Sequence, residues 1–141
     1  MPFKLTDAHT SGDIGLTATG RDLAELFVDS ALGLTSIMVE SGGLSERRQI
    51  PIALEAETLE KLYLHWLSEI IYLKDAESFL LRGCEIRIFQ TEKAILKGVL
   101  RGDTIDRQHH ILKADVKAVT YYKFRLEQVG EVWQGEVVFD L

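Results

Sequence analysis

The chain has 141 residues, 46% of them hydrophobic and 27% charged, which suits one domain with a sizeable core spanning residues 1–141. Its net charge of −6 and pI of about 5.2 argue against strong direct nucleic-acid binding, because gripping phosphates needs a basic surface. The single cysteine, Cys84, excludes an internal disulfide and a cysteine zinc cluster.

The N-terminus, MPFKLTDAH, lacks the apolar core of a signal peptide. No stretch of the chain approaches the roughly 20 apolar residues of a membrane span, so a cytoplasmic protein without membrane contact is expected. Residues 3–20 read as short extended pieces broken at SGDIG and ATG. A helix follows: Asp22 can cap it, with Glu25 at capping-box spacing. Leu23, Leu26, Phe27, Leu34, Ile37 and Met38 recur along it at helical spacing. Ser41-Gly42-Gly43 ends that element and opens a loop to about residue 48. A short strand is predicted over roughly residues 49–55, where Pro51 points to a sheet edge or a strand start.

A second helix is predicted from an N-cap at Thr58 to about Lys74. Its stripe of Leu59, Leu62, Tyr63, Trp66, Leu67, Ile70 and Leu73 is that of a core helix lying across a sheet. Residues 81–90 and 93–101 then read as a hairpin turning at Thr91-Glu92. In its first arm Cys84, Ile86 and Ile88 share a face, which makes Cys84 a small core residue and not a reactive thiol. Residues 102–110 are polar and read as a loop or short turn. Two long strands close the chain, about 114–128 and 131–140, with the turn at Val129-Gly130. In the first of them Val116, Ala118, Thr120, Tyr122 and Phe124 alternate as a core-facing set, and Asp115, Lys117, Val119, Tyr121 and Lys123 take the open face. Hairpin-paired strands with two helices against them give an α+β class: one two-layer domain with a mainly antiparallel sheet.

Few residues suggest chemistry. His109-His110 is an adjacent pair whose side chains would point apart, and His65 lies off the main helical stripe. His9 lies near Asp13, and the chain has neither a Cys partner nor an HExxH for zinc. No phosphate-binding glycine loop or nucleophile elbow is present, so no catalytic nucleophile–base pair is expected. Asp13, set between glycines in SGDIG, and Asp140, beside the α-carboxylate of Leu141, are oxygen donors suited to a hard cation. Read on residue type alone they are a turn residue and a frayed end, and Lys117 is a solvated lysine on an amphipathic strand.

Taken in order and spacing, SGDIGLTATG, RDLAELFVDSALGLTSIM, ETLEKLYLHWLSEIIYL, GDTIDRQHH, VKAVTYYKF and the terminal VVFDL resemble the archease family over essentially the full chain. Two departures stand out. The family's first motif commonly reads like HTADIG, whereas this chain has HTSGDIG, so Thr10 stands where the histidine would and His9 is displaced by one. Tyr122 replaces the histidine common after VKAVTY.

The resemblance implies a non-enzymatic protein cofactor of the tRNA-splicing RNA ligase, which joins a 3′-phosphate or 2′,3′-cyclic phosphate end to a 5′-hydroxyl end. Archeases promote guanylylation of that ligase and its repeated turnover. It also implies a divalent-cation site at Asp13, Asp140 and Leu141, with calcium first and magnesium or manganese next, and a functionally required lysine at Lys117. Antiparallel pairing across the last hairpin would bring Lys117 and Asp140 to one end of the sheet, with the Asp13 loop closing over it. Two other readings remain: a small divalent-metal-dependent enzyme acting on a phosphorylated substrate, and a general chaperone-like binding module.

Overall fold

The computed structural model describes residues 3–7 and 12–141; His9 and Thr10 lie outside them. In chain order the elements are β1 (Phe3–Asp7), β2 (Asp13–Gly20), α1 (Leu23–Met38), β3 (Arg48–Ala56), α2 (Leu59–Glu77), β4 (Phe79–Gln90), β5 (Ala94–Thr104), β6 (Ala118–Val129) and β7 (Val132–Asp140). The α+β reading holds, and the antiparallel strands divide between two sheets, ordered β1-β2-β7-β6 and β3-β5-β4. Helix α1 packs on β1, β2 and β7 of the first sheet and on β4 of the second. Helix α2 packs on β6 of the first sheet and on all three strands of the second. The helices therefore tie the two sheets into one core.

Both helices begin where the sequence places them, because a cap is a local side-chain-to-backbone bond. Asp22 accepts from the Glu25 N–H at 2.8 Å, and Thr58 Oγ1 from the Lys61 N–H at 3.1 Å. The return bond of the first cap goes one residue further back, with Glu25 Oε1 accepting from the Arg21 N–H at 3.3 Å. Phe27, Tyr63 and Trp66 fill the centre and are fully buried. The Trp66 indole N–H donates to the Phe27 carbonyl at 2.8 Å. Ser30 Oγ donates its one proton to the Leu26 carbonyl, so the Tyr63 hydroxyl donates to Ser30 Oγ, at 2.6 Å. Gly135 of β7 sits directly under that hydroxyl: a Cβ there would lie 2.4 Å from it.

Several expectations are corrected by longer-range structure. Residues 18–20 do not break the chain; they continue β2, paired residue for residue with β7. Pro51 does lie on an edge strand, β3. The hairpin of β4 and β5 forms, and β5 runs on to Thr104, into the segment expected to be a loop. Cys84 packs against the core, where burial pushes its thiol up to about 11, well away from reactive range.

The largest correction concerns β6. It starts at Ala118, and residues 114–117 precede the ladder. Thr120 pairs with Val138 and Arg125 with Glu136, so residues 121–124 bulge opposite Val137 alone. Lys123 takes a left-handed backbone, φ 55°, inside this bulge. Strict alternation breaks twice: from the buried Val116 to the core-packed Val119, where the chain enters the ladder and Ala118 is exposed, and across the bulge, where Tyr122 is exposed and Phe124 packs on the core. A bulge re-aims side chains in this way because its extra residues have no ladder partner.

Candidate functional site

Strands β2 and β7 run in register from Gly20↔Trp133 to Asp13↔Asp140, and β6 joins the same end through Ala118↔Asp140. Asp13 and Asp140 are thus direct cross-strand neighbours whose side chains share one face. The next pair inward, Ile14↔Phe139, continues to Val119 on β6, and all three pack on the core from the opposite face. Apolar anchors therefore point in while the acidic pair points out. Two backbone bonds close this end: the Lys117 N–H donates to the Asp140 carbonyl at 2.8 Å, and the Leu141 N–H to the Gly12 carbonyl at 2.8 Å. All four residues singled out from the sequence, Asp13, Lys117, Asp140 and Leu141, meet at this tip. Asp13 arrives as a ladder residue of β2, not as a loop closing over the end.

Like charges set directly opposite on neighbouring strands cost stability. A divalent cation between them would offset that cost, and carboxylate oxygens are the donors that hard cations take. Asp13 is half-buried and Asp140 exposed. Among the described residues no three His, Cys, Asp or Glu side chains gather into a metal-binding group. The donor set here is instead two side-chain carboxylates with the α-carboxylate of Leu141, whose side chain packs on the core. Its chemistry fits an oxygen-preferring ion.

The segment leading into Lys117 is fastened from below. Lys74 of α2 is buried, and its ammonium donates to the Val116 carbonyl at 2.8 Å and to the Asp115 carboxylate. It also lies 3.0 Å from Asp75. Val116 is itself fully buried, so Lys117 emerges from a fixed base and is exposed.

A second polar cluster escaped the sequence reading. Asp103 Oδ2 accepts from the Ser45 hydroxyl at 2.8 Å and the Ser45 N–H at 3.3 Å, and Oδ1 from the Thr104 N–H at 2.9 Å. These bonds, the Ser45 hydroxyl first, hold its carboxyl below the ordinary range. The Asp106 N–H donates to His110 Nδ1 at 2.9 Å, leaving Nε2 as the donor 3.3 Å from Asp103. His109 and His110 do point apart: His110 is buried and His109 exposed. The signal available in sequence was the charge-dense run GDTIDRQHH, but its partner Ser45 lies 58 residues away.

Comparison with known proteins covers the same length. Residues 3–141 match the Archease protein family. Protein archease of Archaeoglobus fulgidus is 30% identical over 141 residues, covering all of both chains. That of Thermococcus gammatolerans is 35% identical over 94% of each. The solution structure of protein 1598 from Methanobacterium thermoautotrophicum superposes with a TM-score of 0.81 at 22% identity, over 99% of each chain. An archease from Thermotoga maritima, described as a possible chaperone, gives 0.63 at 18% identity over 96% of each. The two structures share this fold, and on the sequence matches the chain belongs to the archease family.

Proposed function

We propose that this protein is a non-enzymatic activator of the tRNA-splicing RNA ligase, promoting the ligase's guanylylation and multiple turnover. The observation that carries this reading is the convergence of Asp13, Lys117, Asp140 and Leu141 at one sheet end through the β2–β7–β6 register. Asp13, Asp140 and the Leu141 carboxylate would hold a divalent cation, calcium first. Lys117, a mobile point charge beside that cation, would reach phosphates in the partner's active site. The net charge of −6 favours action through a protein partner over direct RNA binding.

The test is RNA ligation with the cognate ligase at catalytic concentration, with and without the protein. Stimulation is expected with the parent chain. Lys117→Ala should lower it about tenfold or more, the equivalent of ~1.4 kcal/mol, while costing less than about 0.5 kcal/mol of stability. Full stimulation by the variant, or turnover of a phosphorylated substrate by the isolated protein, would overturn the assignment.

A further inference from the structure

A cleft of about 700 Å³ opens over the Asp103–His110 cluster, away from the tip residues. Both of its carboxylates already accept hydrogen bonds. Asp103 accepts from Ser45, Thr104 and His110, and Asp106 accepts from Gln108 and His109 at 3.0 and 2.6 Å. The His109 hydrogen bond, with that of Gln108 second, also holds Asp106 below the ordinary carboxylate range. Arg48 is committed too, donating to the Glu77 carbonyl at 2.9 Å and lying over the Phe79 ring. Arg47 and Arg107 are different. Both line the cleft and are exposed, and among the described residues neither guanidinium has a hydrogen bond or ion pair; Arg47 acts on Asp103 through charge alone. In a chain of net charge −6, a cleft whose acids already accept hydrogen bonds and whose Arg47 and Arg107 guanidiniums make none is a local anion trap.

We propose that this cleft binds a phosphate-bearing ligand of nucleotide size. Guanidinium forks match phosphate oxygens bidentately. The Ser45–Asp103–His110 bonds fix the floor, so the site is preformed. The volume lies within the range that takes a small organic molecule and exceeds what inorganic phosphate needs. A concave site with a buried polar floor suits a compact ligand better than a flat protein surface. This inference does not depend on the ligase reading.

Titration calorimetry of the full chain with inorganic pyrophosphate and with ADP tests it. Both should bind, ADP more tightly. The Arg47→Ala/Arg107→Ala double variant should bind ADP about tenfold or more weakly, as expected when charge-assisted hydrogen bonds are lost. Arg87→Ala, which removes the same charge from an exposed site on β4, should bind as the parent does. A parallel melting curve checks that the double variant is folded, and Arg47→Lys/Arg107→Lys provides a second, milder probe that should retain part of the affinity. Equal loss in Arg87→Ala would mean unspecific charge attraction and would overturn the site. So would undiminished binding by the double variant, or no binding of either probe at millimolar concentration. Equal affinity for ADP and pyrophosphate would overturn the nucleotide-sized ligand.

Discussion

Replacing Lys74 with methionine removes one ammonium and keeps most of the side-chain volume, so its effect isolates the fastening beneath Lys117. Three contacts are lost; the ion pair to Asp75, 59% exposed, counts for little, and the other two differ in weight. The bond to the Val116 carbonyl is buried, and leaving such an acceptor without a donor costs about 1–3 kcal/mol. The bond to Asp115 involves a carboxylate that is 76% exposed, so screening limits it to about 0–1 kcal/mol. Relief from burying the ammonium offsets part of the sum. A net loss of about 1–3 kcal/mol is expected. With an unfolding entropy of ~2.1 cal/mol/K per residue, the 141 residues unfold with ~0.30 kcal/mol/K. Each kcal/mol then lowers Tm by about 3.4 °C, and Lys74→Met should melt about 3–10 °C below the parent. Asp115→Ala should fall at the bottom of that range or below it. Thermal melting by circular dichroism gives the first number. Amide exchange at Lys117, whose N–H bonds the Asp140 carbonyl, shows whether the loosening reaches the tip. An unchanged or raised Tm would mean that burying the ammonium costs as much as its bonds return, and that Lys74 fastens nothing.

Two further outcomes are expected. Asp13→Ala and deletion of Leu141 should each weaken calcium binding about tenfold or more; parent-like affinity in both, measured by calorimetry, would place the ligands elsewhere. Gly135→Ala should cost about 1–3 kcal/mol through overpacking, because its Cβ would fall 2.4 Å from the Tyr63 hydroxyl; a Tm within about 1 °C of the parent would show that Tyr63 can yield.

What was legible in the sequence was what is local. The caps at Asp22 and Thr58 are bonds spanning three residues, and the terminal hairpin is announced by Val129-Gly130, where Gly130 takes φ 64°. The nearness of Lys117 to Asp140 was legible for the same reason, since one hairpin relates them; that these residues make a site rested on the family resemblance, and Asp13 meets Asp140 only through the long-range pairing of β2 with β7. The bulge in β6 carried no such mark. A left-handed backbone usually signals itself by glycine, asparagine or aspartate, and here the residue is Lys123. Every face assignment beyond Thr120 therefore rested on a ladder that the chain interrupts. The cleft was invisible because its floor joins Ser45 to Asp103, and its charges read singly as a solvated loop.

The two proposed sites lie at the ends of one segment. From His110 to Lys117 the chain advances seven residues, at most about 25 Å, along the C-terminal end of α1. Leu112 bridges to Val39, the Lys113 N–H donates to the Met38 carbonyl at 2.8 Å, and the Ala114 N–H to the Ile37 carbonyl at 3.1 Å. The helix's last carbonyls, which lack partners within the helix, thus serve as the rail on which this strand-like segment is laid. Lys74 fixes Asp115 and Val116 next, and the Asp140 carbonyl takes the Lys117 N–H. At the tip it is backbone groups that hold the chain in place: Asp140 gives its carbonyl, Gly12 its carbonyl, and Lys117 and Leu141 their N–H groups. Lys117 and Asp140 therefore present their side chains outward from a frame that does not depend on them. Substitutions there should report on what the tip binds, whereas a substitution at Lys74 reports on the frame.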